Sequence, residues 1–201
     1  MIEDCTAIIL AGGDSRRMGR DKASLLLGEQ TLLEQVIATM QQVFPYVIVS
    51  VRQPRPEIAL PQVCDEPSWQ QQASGPLAGL AAGLAAITTP WAFAVACDMP
   101  FVAPALVELL GRYRAGCQAV VPVVQGHVQP LAAYYAGSAL GVMSALLSSG
   151  ANYSLRAVLE QLQVRYVDES GLIQADPQLR SFFDLDTPLD VERALRGDTG
   201  S

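Results

Sequence analysis

Gly12 and Gly13 end an apolar run that begins at Ala7, and Arg16, Arg17, Arg20 and Lys22 follow within a few positions. Glycine admits positive φ and lets a ligand come close to the backbone. A turn of successive N–H groups can cradle an anion, and nearby cations reinforce it. The chemistry this stretch suggests is phosphate holding. It is not a P-loop of the form G-x-x-x-x-G-K-[ST], because Gly19 is followed by Arg20 and lies six positions after Gly13. Nor is it the dinucleotide fingerprint G-x-G-x-x-G, since Gly12 and Gly13 are adjacent. A solvated charged loop is the alternative that these residues alone leave open.

The carboxylates come next. Asp98 directly follows the apolar stretch "WAFAVAC", so it falls at the carboxyl end of an expected strand. Mg2+ takes one or two carboxylates plus phosphate oxygens, and Asp98 is placed for that. A cap for the helix expected near Pro104 is the competing role, but Asp98 stands six residues too early. Asp65, in "VCDEPSW", follows a short strand and reads equally as a turn residue. Asp184 and Asp186 flank Leu185 in an alternating segment, which puts both on one side. His127 is the only histidine, and no G-x-S-x-G elbow occurs, so hydrolase triads are not indicated. It reads as a polar loop residue. Trp69 and Trp91 read as core or rim packing.

These residues need a frame. "TAIILAGG" reads as a buried strand ending in a glycine turn, and "YVIVSV" and "WAFAVACD" as further buried strands. "TLLEQVIATMQQVF" has helical apolar spacing and is stopped by Pro45. "PLAGLAAGLAAI" opens with a proline suited to the first helical position. Gly75, Gly79 and Gly83 recur every four residues along it, giving a bare face that a neighbouring backbone could approach. "APALVELLGRYRAG" is expected to be a helix capped by Gly116. "QAVVPVV" reads as a strand broken at Pro122, and "PLAAYYA" as another strand. "GVMSALLSSG" and "SLRAVLEQL" read as helices, "RYVDE" and "FFDLDTP" as extended pieces, and "PLDVERAL" as a last helix. Alternating strands and helices predict an α/β fold: a Rossmann-like, mostly parallel sheet with helices on both faces. An antiparallel excursion is expected near residues 119 to 135. Residues 1–197 are expected to form a single domain, and 198–201 a flexible tail.

The chain has 201 residues, half of them hydrophobic, and a net charge of −7. That excludes broad nucleic-acid binding, which needs many cationic phosphate contacts. Residues 67 to 97 lack Asp, Glu, Lys and Arg, but Pro76 and Thr88-Thr89-Pro90 divide them. No piece reaches the roughly 20 residues of a membrane span. Cys5, Cys64, Cys97 and Cys117 form no C-x-x-C pair. They read as small core residues, and a cytoplasmic location is expected.

The stretch "LAGGDSRRMGRDK" follows L-A-G-G-x-S-x-R-M-G-x-D-K, and "SGPLAGLAAGL", "ACDMPF" and "DLDTPLD" follow in order along nearly the whole chain. In these motifs the sequence resembles the molybdenum cofactor guanylyltransferases, the MobA family of nucleotidyltransferases. The resemblance implies transfer of GMP from GTP to the phosphate of molybdopterin or its molybdenum-loaded form, with release of pyrophosphate. It implies Lys22, Arg17 and Asp98 as catalytic residues, with Asp98 holding Mg2+, for which Mn2+ could substitute. It implies nucleotide binding by Leu10, Ala11, Gly12, Gly13, Lys22, Ser50, Asp65 and Asp98, and acceptor binding by Gly79, Gln129, Asp184 and Asp186. Other proteins of molybdenum cofactor biosynthesis and acceptor molybdoenzymes are further candidate partners. The sequence departs from the family pattern at Ser50, Asp184 and Asp186, where relatives carry asparagines. A cytidylyltransferase acting on the same pterin is the nearest alternative. It tends to read L-A-A-G where this chain has Leu10-Ala11-Gly12-Gly13, and often D-x-D-T-P at the later site. A sugar-nucleotide pyrophosphorylase and a non-catalytic nucleotide or cofactor-handover module are more distant ones.

Overall fold

The run Cys5–Leu10 forms strand β1, and all six of its residues are buried. Side chains alternate across a strand, and β1 feeds two separate cores. Cys5, Ala7 and Ile9 pack on one face, while Ile8 and Leu10 pack on the other. A strand buried on both faces must be central, which is why this run is apolar apart from Thr6, whose hydroxyl pairs with that of Thr89 at 2.8 Å. A computed structural model describes residues 1–12, 22–65, 75–149 and 154–185, with Asp190 and Arg193.

The remaining strands are β2 (Leu26–Leu27), β3 (Gln30–Thr31), β4 (Tyr46–Val51), β5 (Gln62–Cys64), β6 (Trp91–Ala96), β7 (Ala119–Val124), β8 (His127–Val128), β9 (Ala133–Ala136) and β10 (Val164–Val167). The helices are α1 (Leu32–Val43), α2 (Pro76–Ala86), α3 (Pro104–Gly111), α4 (Leu140–Ser149), α5 (Leu155–Leu159) and α6 (Glu169–Leu172). The main sheet runs β10-β7-β9-β6-β1-β4-β5, with β8 paired to the end of β7. The pairs β1–β4, β1–β6, β4–β5 and β7–β10 are parallel. β9 runs antiparallel to both β6 and β7, within the segment where an antiparallel excursion is expected.

Helices cover both faces. α1 begins with a capping box: the Glu34 N–H donates to Thr31 Oγ1 at 3.2 Å and the Thr31 N–H donates to Glu34 Oε2 at 2.8 Å. A cap of this kind contributes about 1 kcal/mol. The helix buries Leu33, Val36, Met40 and Val43 in the same core as Ile9 and as Leu106 and Leu110 of α3. On the opposite face Leu77, Leu80 and Leu84 of α2 join Ile8, with Met143 and Leu147 of α4.

Four local readings are corrected. The strand does not break at Pro122. β7 continues through it, because the proline falls where β7 changes partner from β9 to β8. There its carbonyl still accepts from the Gln129 N–H at 2.8 Å. α3 stops at Gly111, and Gly116 (φ +74°) serves a later turn instead of capping the helix. Residues 169–172 are helical, because the Asp168 side chain caps Gly171 N–H at 3.1 Å. Residues 180–182 form a 3-10 turn and 183–185 are irregular, so the alternation argument for Asp184 does not hold there. The expected last helix is described only at Asp190 and Arg193, both helical. The expected tail lies outside the described residues.

Candidate active site

The chain leaves β1 through α1 to β4 on one side, and returns through α2 to β6 on the other. The carboxyl end of β1 is therefore a topological switch point, where open α/β sheets bind ligands. Leu10 pairs with Ser50 of β4 and with Ala96 of β6. Two further bonds carry this alignment past the strand ends. The Ala11 N–H donates to the Ser50 carbonyl at 2.8 Å, and the Cys97 N–H donates to the Leu10 carbonyl at 3.1 Å. Donors for an anion in the glycine loop therefore start no earlier than Gly12. This narrows the expectation for Ala11, whose N–H is engaged by β4.

Gly79, expected on the acceptor side, instead stands against three of the nucleotide-side candidates. A Cβ on it would meet Ser50 Oγ at 2.6 Å, Leu10 Cδ2 at 3.3 Å and Asp65 Oδ1 at 3.4 Å. Four residues separated widely in sequence thus converge on one point, one turn into α2. The glycine face of α2 meets side chains and not a bare backbone. At Gly83 an added Cβ would meet Ile8 Cγ2 at 2.7 Å.

Ser50 is 2% exposed, so its hydroxyl belongs to the packed floor of the site. Asp65 is half-buried, just beyond β5. Removal from water raises its pKa above the ordinary aspartate range, and the charge of Arg52 opposes that rise. Arg52 also flanks the glycine turn: a Cβ on Gly12 would stand 3.4 Å from Arg52 Cγ. Sequence reasoning missed Arg52. The available signal was its position immediately after β4, at the same sheet edge as Leu10.

Asp98 is half-buried in the turn that follows β6. Its carbonyl accepts from the Leu185 N–H at 3.0 Å, which places Asp184 beside it along the backbone. Leu185 is fully buried with Leu32, and Phe101 and Phe183 pack against them. Among the described residues no group of three or more His, Cys, Asp or Glu could hold a metal.

On the far side, β7 and β8 form a hairpin with positive φ at Gln125 and Gly126. The Gln125 N–H donates to the carboxylate of Glu169. Gln129 follows this hairpin, and the next carbonyl, of Pro130, accepts from the Tyr135 hydroxyl at 2.7 Å. The Ala132 N–H then donates to the Ala94 carbonyl of β6 at 2.8 Å, which seats the loop beside the strand that carries Asp98. His127 is exposed in β8. Lys22 is described by its backbone, at the start of a short 3-10 turn. Gly13, Arg17, Asp186 and Trp69 lie outside the described residues.

Residues 7–166 match the family model described as the MobA-like NTP transferase domain. A probable molybdenum cofactor guanylyltransferase of Natranaerobius thermophilus is 31% identical over 98% of this chain and 97% of its own length. A molybdenum cofactor guanylyltransferase of Desulfosudis oleivorans is 32% identical over 94% of this chain and 93% of its own. The crystal structure of molybdopterin-guanine dinucleotide biosynthesis protein A from Archaeoglobus fulgidus superposes with a TM-score of 0.82 at 29% identity, covering 95% of this chain and 97% of that one. The glycine turn, the edge residues and the sheet order thus stand in a chain that belongs to the molybdenum cofactor guanylyltransferase family of nucleotidyltransferases, built on the MobA-like NTP transferase domain.

Proposed function

We propose that this enzyme transfers GMP from GTP to the phosphate of molybdopterin or its molybdenum-loaded form. A phosphate oxygen of the acceptor attacks the α-phosphorus of GTP. The bond from that phosphorus to the bridging oxygen breaks, and pyrophosphate leaves. The observation that carries this reading is the convergence of Leu10, Ser50, Asp65 and Gly79 on one point at the β1 switch. A nucleoside fits a site with a buried hydroxyl, a carboxylate and a helix turn without a side chain.

In this reading Gly12 and Gly13 approach the triphosphate, and Lys22 and Arg17 neutralise its charge. The chain does little covalent chemistry: it aligns two phosphates and stabilises developing charge. Gln129, Asp184 and Asp186 are assigned to the acceptor. A divalent cation suits the donor set. Asp98 would supply one carboxylate at the strand end, Asp184, one residue before the backbone bond to Asp98, could supply a second, and phosphate oxygens would fill the remaining positions. Mg2+ held there, with Mn2+ as a substitute, would offset charge on the phosphates and favour pyrophosphate departure.

The same reading treats residues 1–197 as one nucleotidyltransferase domain, because the bond from Leu185 to Asp98 ties the late segment to the turn after β6, at the centre of the sheet. No helix among the described residues is long and apolar enough to cross a membrane. The four cysteines are thiols rather than disulfides, which supports work in a reducing cytoplasm. GTP, the pterin and the proteins that supply or receive the cofactor are the proposed partners.

The test is pyrophosphate release with molybdopterin as acceptor, read as kcat/KM for GTP and for CTP. Preference for GTP is expected, and preference for CTP overturns the reading. Gly13→Ala should erode the GTP preference by crowding the larger base.

A further inference from the structure

The segment after α6 grips the Asp98 turn at both of its ends. At the near end, the Leu185 N–H donates to the Asp98 carbonyl at 3.0 Å. At the far end, the fully buried Ser181 hydroxyl accepts from the Ala103 N–H at 3.0 Å and reaches the Phe101 carbonyl at 3.5 Å. Ser181 is itself held, because its N–H donates to Asp176 Oδ2 at 2.8 Å and Asp176 is 7% exposed. Leu179, at φ +52°, makes the bend between them. The Arg180 guanidinium lies 5.0 Å from the centre of the Phe101 ring, against the same turn.

A buried aspartate and a buried serine are costly unless their bonds are needed. Here they tie a sheet-edge turn to a segment 80 residues away, and that turn carries the carboxylate assigned to the metal. We infer that Asp176 and Ser181 are positioning residues for Asp98, fixing the turn in the geometry that binds metal-loaded nucleotide. This rests on the metal role of Asp98 proposed above. Neither residue touches the reacting atoms. Their effect reaches Asp98 through residues 101–103, while Leu185 holds the other end.

The experiment reads two quantities that do not depend on turnover. The first is amide hydrogen exchange across residues 98–103. The second is binding of Mn2+–GTP without acceptor, followed by water-proton relaxation. In Ser181→Ala, exchange at Phe101–Ala103 should quicken while β6 stays protected. Mn2+–GTP should bind roughly tenfold more weakly, the usual scale for losing an outer-shell partner. Asp176→Asn keeps an oxygen acceptor for the Ser181 N–H and should stay near the native affinity, whereas Asp176→Ala should not. If Ser181→Ala does not fold, Asp176→Ala is read in the same titration. Faster exchange with unchanged Mn2+–GTP affinity overturns the inference, and so does no change in either. Asp98→Asn separates the two readings. Native affinity in that variant overturns both, whereas weak binding there beside native affinity in Ser181→Ala and Asp176→Ala overturns only the positioning role.

Discussion

Gly79 and Ser50 stand so close that a Cβ on residue 79 would lie 2.6 Å from the serine hydroxyl oxygen. That is below any ordinary contact, so an alanine at 79 forces the buried Ser50 hydroxyl to turn or the first turn of α2 to shift.

Gly79→Ala and Gly83→Ala form a matched pair. Each gains about 1 kcal/mol of helix propensity, and each incurs an overpacking penalty of about 1–3 kcal/mol. At Gly83 the neighbour is Ile8, which belongs to the core. At Gly79 the neighbours are Ser50, Leu10 and Asp65. Gly83→Ala should lower Tm and leave the KM for GTP near native. Gly79→Ala should raise the KM for GTP well beyond any change in Tm. Equal KM values in the two variants would remove Gly79 from the site.

Asp65 holds its proton more tightly in the folded chain than in the unfolded one, because burial disfavours its charge. Folding stability therefore falls as pH rises from the ordinary aspartate range through the raised value. Above that window the ionised carboxylate lowers stability by a constant amount. Asp65→Asn should melt higher than native at pH 7, and the gap should close as pH falls towards the ordinary aspartate range. The same variant should bind GTP more weakly. Melts across pH with and without GTP check both signs.

Asp98→Asn should abolish transfer and leave the fold intact. Its carbonyl, which receives the Leu185 N–H, is untouched by the substitution. Loss of the charge should add several kcal/mol to the barrier, the scale of a metal's contribution. A folded variant with near-native turnover at ordinary Mg2+ concentrations would rule out the assignment.

Lys22→Ala should weaken GTP use far more than stability if Lys22 serves the triphosphate, because substitutions away from core packing and caps usually change stability by under about 0.5 kcal/mol. Melts with and without GTP separate the two. A large drop in the ligand-free Tm would mark Lys22 as structural.

The strands nearest the site were the most legible elements. β1, β4 and β6 are largely apolar runs, of the kind a central parallel sheet buries on both faces. Leu10, Ser50, Asp65 and Asp98 were legible for a related reason, because each falls at or just after a strand's carboxyl end. What could not be read was their convergence on Gly79. That depends on the rotation of α2 over the sheet, and Leu77, Leu80 and Leu84 set it through tertiary packing. Pro122 was misread because a proline interrupts a ladder only where its missing donor is needed, and the change of partner from β9 to β8 is invisible locally. Ser181 and Asp176 carried no signal. A buried hydroxyl and a buried carboxylate look like loop residues until the turn they bond, some 80 positions away, is in view.

The antiparallel direction of β9 has a consequence for how such a chain can diversify. Had β9 run with its neighbours, the turn entering it would open at the opposite rim of the sheet. Instead, residues 125–131 arrive beside the loops that leave β1, β4 and β6. The residues proposed to meet the donor nucleotide are encoded before position 99, and those proposed to meet the acceptor come after it, at the exit of the hairpin and in the segment around Asp184. Donor choice and acceptor choice thus occupy separate stretches of the gene. The second can be rewritten, by drift or by hairpin exchange between relatives, while the first is inherited unchanged.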